Sequence, residues 1–298
     1  MRREPYAIRS DVDEPEEGSR KESAPTGALM KSAESSVGAG EFTGKVALVT
    51  GGTRGIGRAI ADAFASKGAT VVVCGRHAPE EVGNGGDSGP QTTRAAEFVA
   101  CDVRDFDAVQ MLVSTILHRH GRLDIVVNNA GGSPGAESAS AGARFSEAVV
   151  RLNLLAPLFV SQAANAAMQS QHSGGSIVNI TSLSALRPSP ESAAYGAAKA
   201  GLVNLTATLA VEWAPKVRVN SVCAGLIRTE RASLWYGDEQ SIALVAATIP
   251  MGRMGLPADI AEACCFLASE KASFVTGANL VVHGGGETPA YLGAARSG

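Results

Sequence analysis

The sequence contains no uninterrupted apolar run of the ~18 residues that a membrane-crossing helix requires, so no membrane span is expected. Aromatic residues are scarce, at 5% of the chain, which argues against surfaces that stack nucleobases. An excess of positive charge is also lacking: 26 Lys and Arg face 29 Asp and Glu, for a formal net charge of −3. Binding a phosphate backbone demands clustered cations, so nucleic acid is not expected as the main partner. No Cys-x-x-Cys pair occurs. The five cysteines (Cys74, Cys101, Cys223, Cys264 and Cys265) lie mostly in apolar runs, where a thiol acts as a small buried hydrophobe in a reducing compartment. The opening stretch MRREPYAIRSDVDEPEEGSRKE has no apolar core, so no secretory signal is expected. Together these absences predict a cytoplasmic protein.

The 298 residues are 45% hydrophobic, ordinary for a globular chain. A core of this size buries about three quarters of the unfolded surface and needs neither metal nor disulfide to hold it. Residues 1–40 stand apart, rich in charges of both signs with Ser, Gly and Pro and almost no large apolar groups. Such a segment does not offset its ordering entropy and is expected to be disordered, unless it folds over a partner subunit.

From Lys45 onward the pattern changes. Short β-branched runs (KVALVT at Lys45–Thr50, TVVVC at Thr70–Cys74, AEFVAC at Ala96–Cys101, DIVVNN at Asp124–Asn129) predict strands. SIVNIT at Ser176–Thr181, VRVNSV at Val217–Val222 and NLVVHG at Asn279–Gly284 bring the number to seven. Helical spacing appears at Gly55–Gly68, Asp107–His120, a long stretch ending near Gln171, Ala197–Trp213 and Pro257–Ala268. Seven apolar strands alternating with helices predict an α/β fold, a doubly wound parallel sheet with helices on both faces. The Gly-rich stretch between Arg76 and Arg94 interrupts the rhythm and is expected to be a loop.

Four groups of residues carry chemistry. The first strand runs into Thr50-Gly51-Gly52-Thr53-Arg54-Gly55-Ile56-Gly57 and then a helix. Glycines there permit a tight turn and a close approach of backbone amides to a pyrophosphate at the helix N-terminus. The spacing is G-x3-G-x-G rather than G-x-G-x-x-G. Tyr195 and Lys199 stand four apart in YGAAK and share a helix face; an ammonium near a phenol stabilises the phenolate and favours proton transfer near neutral pH. Ser182 follows the strand SIVNIT, where a hydroxyl faces the ligand crevice. Asn153 lies in RLNLLAP. Each of these alone is as readily a surface pair, a cap or a solvated amide.

Taken together and in this order, TGGTRGIG at Thr50–Gly57, NNAG at Asn128–Gly131, Asn153, Ser182 and the Tyr195/Lys199 pair resemble the short-chain dehydrogenase/reductase family. The nearer likeness is to its ~250-residue branch that includes 3-oxoacyl-carrier-protein reductases. The resemblance spans residues 41–287, as one Rossmann-like domain followed by a tail at 288–298. It implies that Tyr195 is the acid/base, that Lys199 lowers its pKa and holds the nicotinamide ribose, and that Ser182 stabilises the substrate oxygen. Asn153 would anchor a water relay. Ser184 in TSLS rivals Ser182, but the family pattern falls on Ser182. The family's cofactor contacts fall on Gly51, Thr53, Arg54, Gly55, Ile56 and Gly57, on Asp102 and Val103 for adenine, and on Asn129, Ala130 and Gly131 along the ribose. Ile227 and Thr229 in AGLIRTE match the carboxamide loop. His77, His118, His120, His172 and His283 match no catalytic position. Ala224-Gly225 stands where the family has Pro-Gly, which loosens that loop.

NAD-preferring relatives carry an acidic residue at the end of the second strand. Gly75 stands there, followed by Arg76, and Arg54 lies in the glycine turn. Two guanidiniums and no carboxylate suit a 2′-phosphate, so NADP(H) is favoured over NAD(H). The alternatives are an NAD-dependent alcohol dehydrogenase working oxidatively and a catalytically silent cofactor-binding protein. Leu234, Trp235, Tyr236, Ile242, Leu244, Val245 and Ile249 between Leu226 and Met254 suggest a lid for an apolar carbonyl or alcohol of acyl thioester, steroid or terpenoid type. These side chains could equally pack a helix. The resemblance further implies a homo-oligomer, dimer or tetramer, in which Leu154, Leu158, Phe159 and Val160 serve an interface or pack on the sheet.

Overall fold

A computed structural model of the chain describes residues 40–78, 96–289, 291, 292 and 295. Apart from their edges, the expected disordered segment 1–40, the loop between Arg76 and Arg94 and the tail 288–298 lie outside the described residues.

Seven strands form one sheet: β1 (Val46–Thr50), β2 (Thr70–Gly75), β3 (Ala96–Ala100), β4 (Ile125–Asn128), β5 (Gly175–Ser182), β6 (Val217–Ala224) and β7 (Asn279–Val282). All neighbours pair in parallel, in the order β3-β2-β1-β4-β5-β6-β7. Helices cover both faces, so successive side chains of a strand enter two different cores. In β1, Val46 and Leu48 belong to one cluster and Ala47 and Val49 to the other. That double burial is why its strands read as continuous apolar runs rather than alternating ones.

The helices are α1 (Gly55–Ser66), α2 (Phe106–His120), α3 (Ala143–Val150), α4 (Ala156–Ser170), α5 (Ala193–Trp213), α6 (Ser233–Tyr236), α7 (Glu239–Ala247) and α8 (Pro257–Ala268). Ile60 and Phe64 of α1 share a core with Ile260, Cys264 and Leu267 of α8. On the opposite face, Leu112 and Ile116 of α2 meet Val160, Ala164 and Met168 of α4 and Leu209 of α5. Val160 therefore packs on the sheet, and Phe159 stacks edge-on against Phe106 of the same chain at 5.4 Å between ring centroids. No helix among the described residues is long and apolar enough to cross a membrane.

Two helical boundaries differ from the sequence reading in ways that matter for the site. The single long helix ending near Gln171 is divided: α3 passes through a π-helical turn, Arg151–Leu155, before α4 begins. Helix α5 starts one turn earlier than Ala197, so that Tyr195 lies within it. Gly196 is a poor helix former, and its place in α5 is a packing requirement, since a methyl there would stand 2.8 Å from the Ser184 carbonyl oxygen.

After β1 the chain runs outward to β2 and β3, then returns to β4 on the other side of β1. Such a reversal leaves a crevice beyond the carboxyl ends of β1 and β4, the place where open parallel sheets bind ligands.

Candidate active site

The crevice is built by main-chain and amide contacts. Thr50 Oγ1 accepts hydrogen bonds from the backbone N–H groups of Asn129 and Ala130, both at 3.0 Å. Asn129 Nδ2 donates to the carbonyls of Thr50 at 2.9 Å and Gly51 at 3.1 Å. Two glycines are required by this turn. Gly51 has φ of +63°, in the left-handed region. At Gly57, a methyl would overlap the Asn129 amide and the Gly51 carbonyl. Thr53 is half-buried and Arg54 exposed, while Ile56 packs against the α1–α8 core. Arg54 precedes α1 in an extended conformation and makes no side-chain cap, and the first turn of α1 carries no acidic residue. Its first amide, Gly55 N–H, donates instead to Glu230 Oε1 at 3.0 Å. An anionic oxygen thus rests on the positive end of α1.

Asn153 is fully buried in the π-turn. Its Oδ1 accepts from Gly132 N–H at 2.9 Å, and its Nδ2 donates to the carbonyls of Gly132 at 3.0 Å and Val149 at 2.9 Å. A Cβ on Gly131 would stand 2.8 Å from Asn153 Oδ1 and 3.3 Å from Lys199 Nζ, so all three converge on one point. Lys199 Nζ donates to the Ile180 carbonyl of β5 at 2.8 Å and lies 5.8 Å from the centre of the Tyr195 ring. Burial of this ammonium pulls its pKa down to about 8.

Ser182 ends β5, and its Oγ accepts from Ser184 N–H at 3.2 Å. Ser184 turns its own hydroxyl to Ser189 at 3.0 Å. Of the two rivals in TSLS, Ser182 is the one that acts on the Tyr195 phenol. Burial pushes that phenol above its ordinary value, and the Ser182 hydroxyl pulls it partly back. The sequence reading had a neighbouring ammonium lowering the Tyr195 pKa; in the structure desolvation raises it, and the opposing pull comes from Ser182 rather than from Lys199.

Asn153 and Lys199 thus meet at Gly131, just beyond β4, with Tyr195 one turn before Lys199 on α5 and Ser182 at the end of β5. A family model described as enoyl-(acyl carrier protein) reductase matches residues 51–287. The chain belongs to the short-chain dehydrogenase/reductase family. It is 39% identical to L-fucose dehydrogenase of Oryctolagus cuniculus over 83% of this chain and 86% of that protein. It is 37% identical to D-threitol dehydrogenase of Mycolicibacterium smegmatis, over 81% and 92% respectively. The ligand-free structure of Thermoplasma acidophilum aldohexose dehydrogenase superposes with a TM-score of 0.75 at 32% identity, covering 83% of this chain and 96% of that one.

Other sequence expectations for this short-chain dehydrogenase/reductase fare unevenly. Ile227 is buried and bridges to Gly255, and Thr229 lies beside Gly55. Val103 is a core residue. Arg76 is exposed at the end of β2, close enough to Asp102 to favour its ionised form. The Asp102 carboxylate, read as an adenine contact, is clamped by Arg104 at 2.9 and 2.6 Å. That guanidinium holds its pKa at about 2. Arg104 carries no motif signal, because an i, i+2 pair becomes a clamp only through the local turn.

The residues read as either a lid or a packed helix divide between the two. Leu234, Trp235 and Leu244 are 71%, 59% and 68% exposed, while Ile242 and Ile249 pack with Ala232 and Met254 in a satellite cluster that also takes in Tyr236 and Val245. Short helices of this kind bury one face on their neighbours and leave the other to solvent. Sequence reasoning also missed a buried network. Asn128 Nδ2 donates to Ser161 Oγ at 2.9 Å and Asn179 Oδ1 at 2.8 Å, and Asn179 Nδ2 donates to Thr206 Oγ1 at 2.9 Å. It ties β4 and β5 to α4 and α5 directly beneath the site. The signal was present as the first Asn of NNAG.

Proposed function

We propose that this chain is an NADP(H)-dependent oxidoreductase that moves a hydride between the nicotinamide and a carbonyl or secondary alcohol. The observation that carries the proposal is the convergence of Lys199, Tyr195 and Ser182: the lysine lies 5.8 Å from the Tyr195 ring and bonds the backbone of β5 two residues before Ser182. The β1/β4 crevice fits a dinucleotide, because its glycine turn opens onto an uncapped helix end that already carries a carboxylate oxygen. Gly51, Thr53, Arg54, Gly55, Ile56 and Gly57 would hold the phosphates, and Asn129, Ala130 and Gly131 the ribose. The cofactor, when bound, supplies or accepts the hydride.

The protein's part is proton transfer and charge stabilisation. Tyr195 donates its phenolic proton to the carbonyl oxygen in reduction and takes the alcohol proton in oxidation. Ser182 Oγ accepts from Ser184 N–H, so its own proton, which faces the Tyr195 oxygen, would turn to the substrate oxygen as charge develops there. Lys199 favours the phenolate once Tyr195 has given up its proton, and Asn153 fixes the backbone at Gly132 beside it. Arg54 and Arg76, with no carboxylate at Gly75, favour the 2′-phosphate of NADP(H).

For the substrate, the polar rim formed by Ser184, Ser189 and the Arg187–Glu287 ion pair and the sugar and polyol names of the relatives favour a polyhydroxylated alcohol or its carbonyl. The exposed Leu234 and Trp235 favour a second reading, the apolar carbonyl suggested by the sequence. Parallel fluorescence titrations with NADPH and NADH test the cofactor: NADPH should bind at least about tenfold tighter, a difference of about 1.4 kcal/mol. Tighter NADH binding overturns it. Turnover on aldoses and polyols against acyl thioesters and steroid ketones then separates the two substrate readings.

A further inference from the structure

Helix α1 receives its anion from far along the chain. Glu230 lies 175 positions from Gly55, yet its Oε1 accepts the first amide of the helix at 3.0 Å. Among the described residues this amide is the one hydrogen-bond partner of that carboxylate. The side chain is exposed, so packing does not hold it there. What holds it is the unsatisfied N–H group and the positive end of the helix dipole. Those same features recommend α1 as a phosphate seat, and two anions do not share it.

We infer that Glu230 is an intramolecular competitor for the phosphate seat of α1, an autoinhibitory contact that must be broken for the cofactor to bind. The inference rests on the dinucleotide reading of the crevice given above. Glu230 follows Thr229 and leads into α6, whose Tyr236 lies near enough to Tyr195 to raise its pKa. Releasing the carboxylate therefore cuts the tether between α1 and this segment and loosens the turn between Arg228 and Ala232, while Ala232 and Tyr236 keep their apolar packing. The contact trades cofactor affinity for control of that segment. A different role is conceivable on the same geometry: a long-range cap that only stabilises α1. The two roles predict opposite responses of affinity.

The test uses the full chain, with NADPH and ADP-ribose as probes; ADP-ribose retains the pyrophosphate and lacks the nicotinamide. Glu230→Gln removes the charge, and Glu230→Ala removes the contact. Glu239→Gln is the charge control, since Glu239 belongs to the neighbouring exposed pair with Arg228 at 2.7 Å and does not touch α1. Both Glu230 variants should bind both probes about twofold to fivefold more tightly than the wild type, the range expected for an exposed anion at a helix terminus. The control should bind as the wild type does. Hydrogen exchange should show residues 228–232 opening in the wild type when ADP-ribose is added, to the level of Glu230→Ala without ligand. Equal or weaker affinity of the Glu230 variants, with the wild type still binding NADPH, overturns the competitor and leaves a cap. If the wild type binds neither NADPH nor NADH, the dinucleotide reading itself falls and the competitor falls with it.

Discussion

Lys199 of α5 donates from Nζ to the carbonyl of Ile180 in β5 at 2.8 Å, and so ties the helix that carries Tyr195 to the strand that ends in Ser182. The tie fixes the spacing between a phenol and a hydroxyl that come from different layers of the fold. The ammonium is buried there, and its desolvation is why its pKa falls to about 8.

This cost sets a pH dependence. In the unfolded chain Lys199 titrates near 10.5, and in the fold near about 8. Between those values the unfolded state binds more protons, so stability rises with pH. Below about 8 the penalty of burying the charge is present in full. Lys199→Met has no such penalty. The melting temperature of the wild type should therefore gain on that of Lys199→Met as pH is raised from about 8 toward 10. A difference that stays constant across this range would mean that the ammonium is not desolvated as described.

Tyr195→Phe deletes only the phenolic oxygen. Turnover should fall by about 10²–10⁴-fold, the usual contribution of general acid–base catalysis, while NADPH affinity stays nearly unchanged. Near-normal turnover would remove Tyr195 from the proton-transfer role.

Asn153 makes three hydrogen bonds, to Gly132 twice and to Val149 once, from a fully buried position. Asn153→Leu takes the side-chain donor from the buried Val149 carbonyl and releases the exposed Gly132 to water, and should cost about 1–3 kcal/mol of stability, the penalty of one buried group left without a partner. Thermal melts read the loss. Unchanged stability would show that the π-turn holds its shape without the amide.

On the proposed NADP(H) reading, Gly75 is the residue through which cofactor choice would be turned. A Cβ there would meet nothing closer than 3.8 Å, the His77 carbonyl oxygen, and its φ is not positive. Gly75→Asp should fold normally and shift preference toward NADH, because a carboxylate at the end of β2 repels a 2′-phosphate and binds ribose hydroxyls. The ratio of the two dissociation constants is the readout. A ratio that does not move would place the adenosine ribose elsewhere.

The seven strands were legible because a sheet covered on both faces demands apolar β-branched runs such as Val71-Val72-Val73, all buried. The helix carrying Tyr195 was legible only in part. Gly196 weakens its first turn locally, and the Ser184 carbonyl that makes glycine necessary there comes from another segment. The division of the Asn153 helix was not legible, since a single π-turn shifts the helical period by about one residue, which does not stand out in a run as apolar as LNLLAPLFV. Lid and packed helix stayed open alternatives for residues 226–254 for a related reason: composition does not say which side chains face each other and which face water.

The sequence by itself determined the layered α/β fold and the glycine turn, because periodicity and spacing are local properties, and it singled out Tyr195, Lys199, Ser182 and Asn153 as candidates only through their joint resemblance to one family. Only the tertiary structure decided that Lys199 reaches Ile180, that Arg104 claims Asp102, and that Glu230 rests on Gly55. Those contacts depend on where a parallel sheet brings distant loops together, and on which buried charge finds a dipole, neither of which is encoded at any fixed separation along the chain.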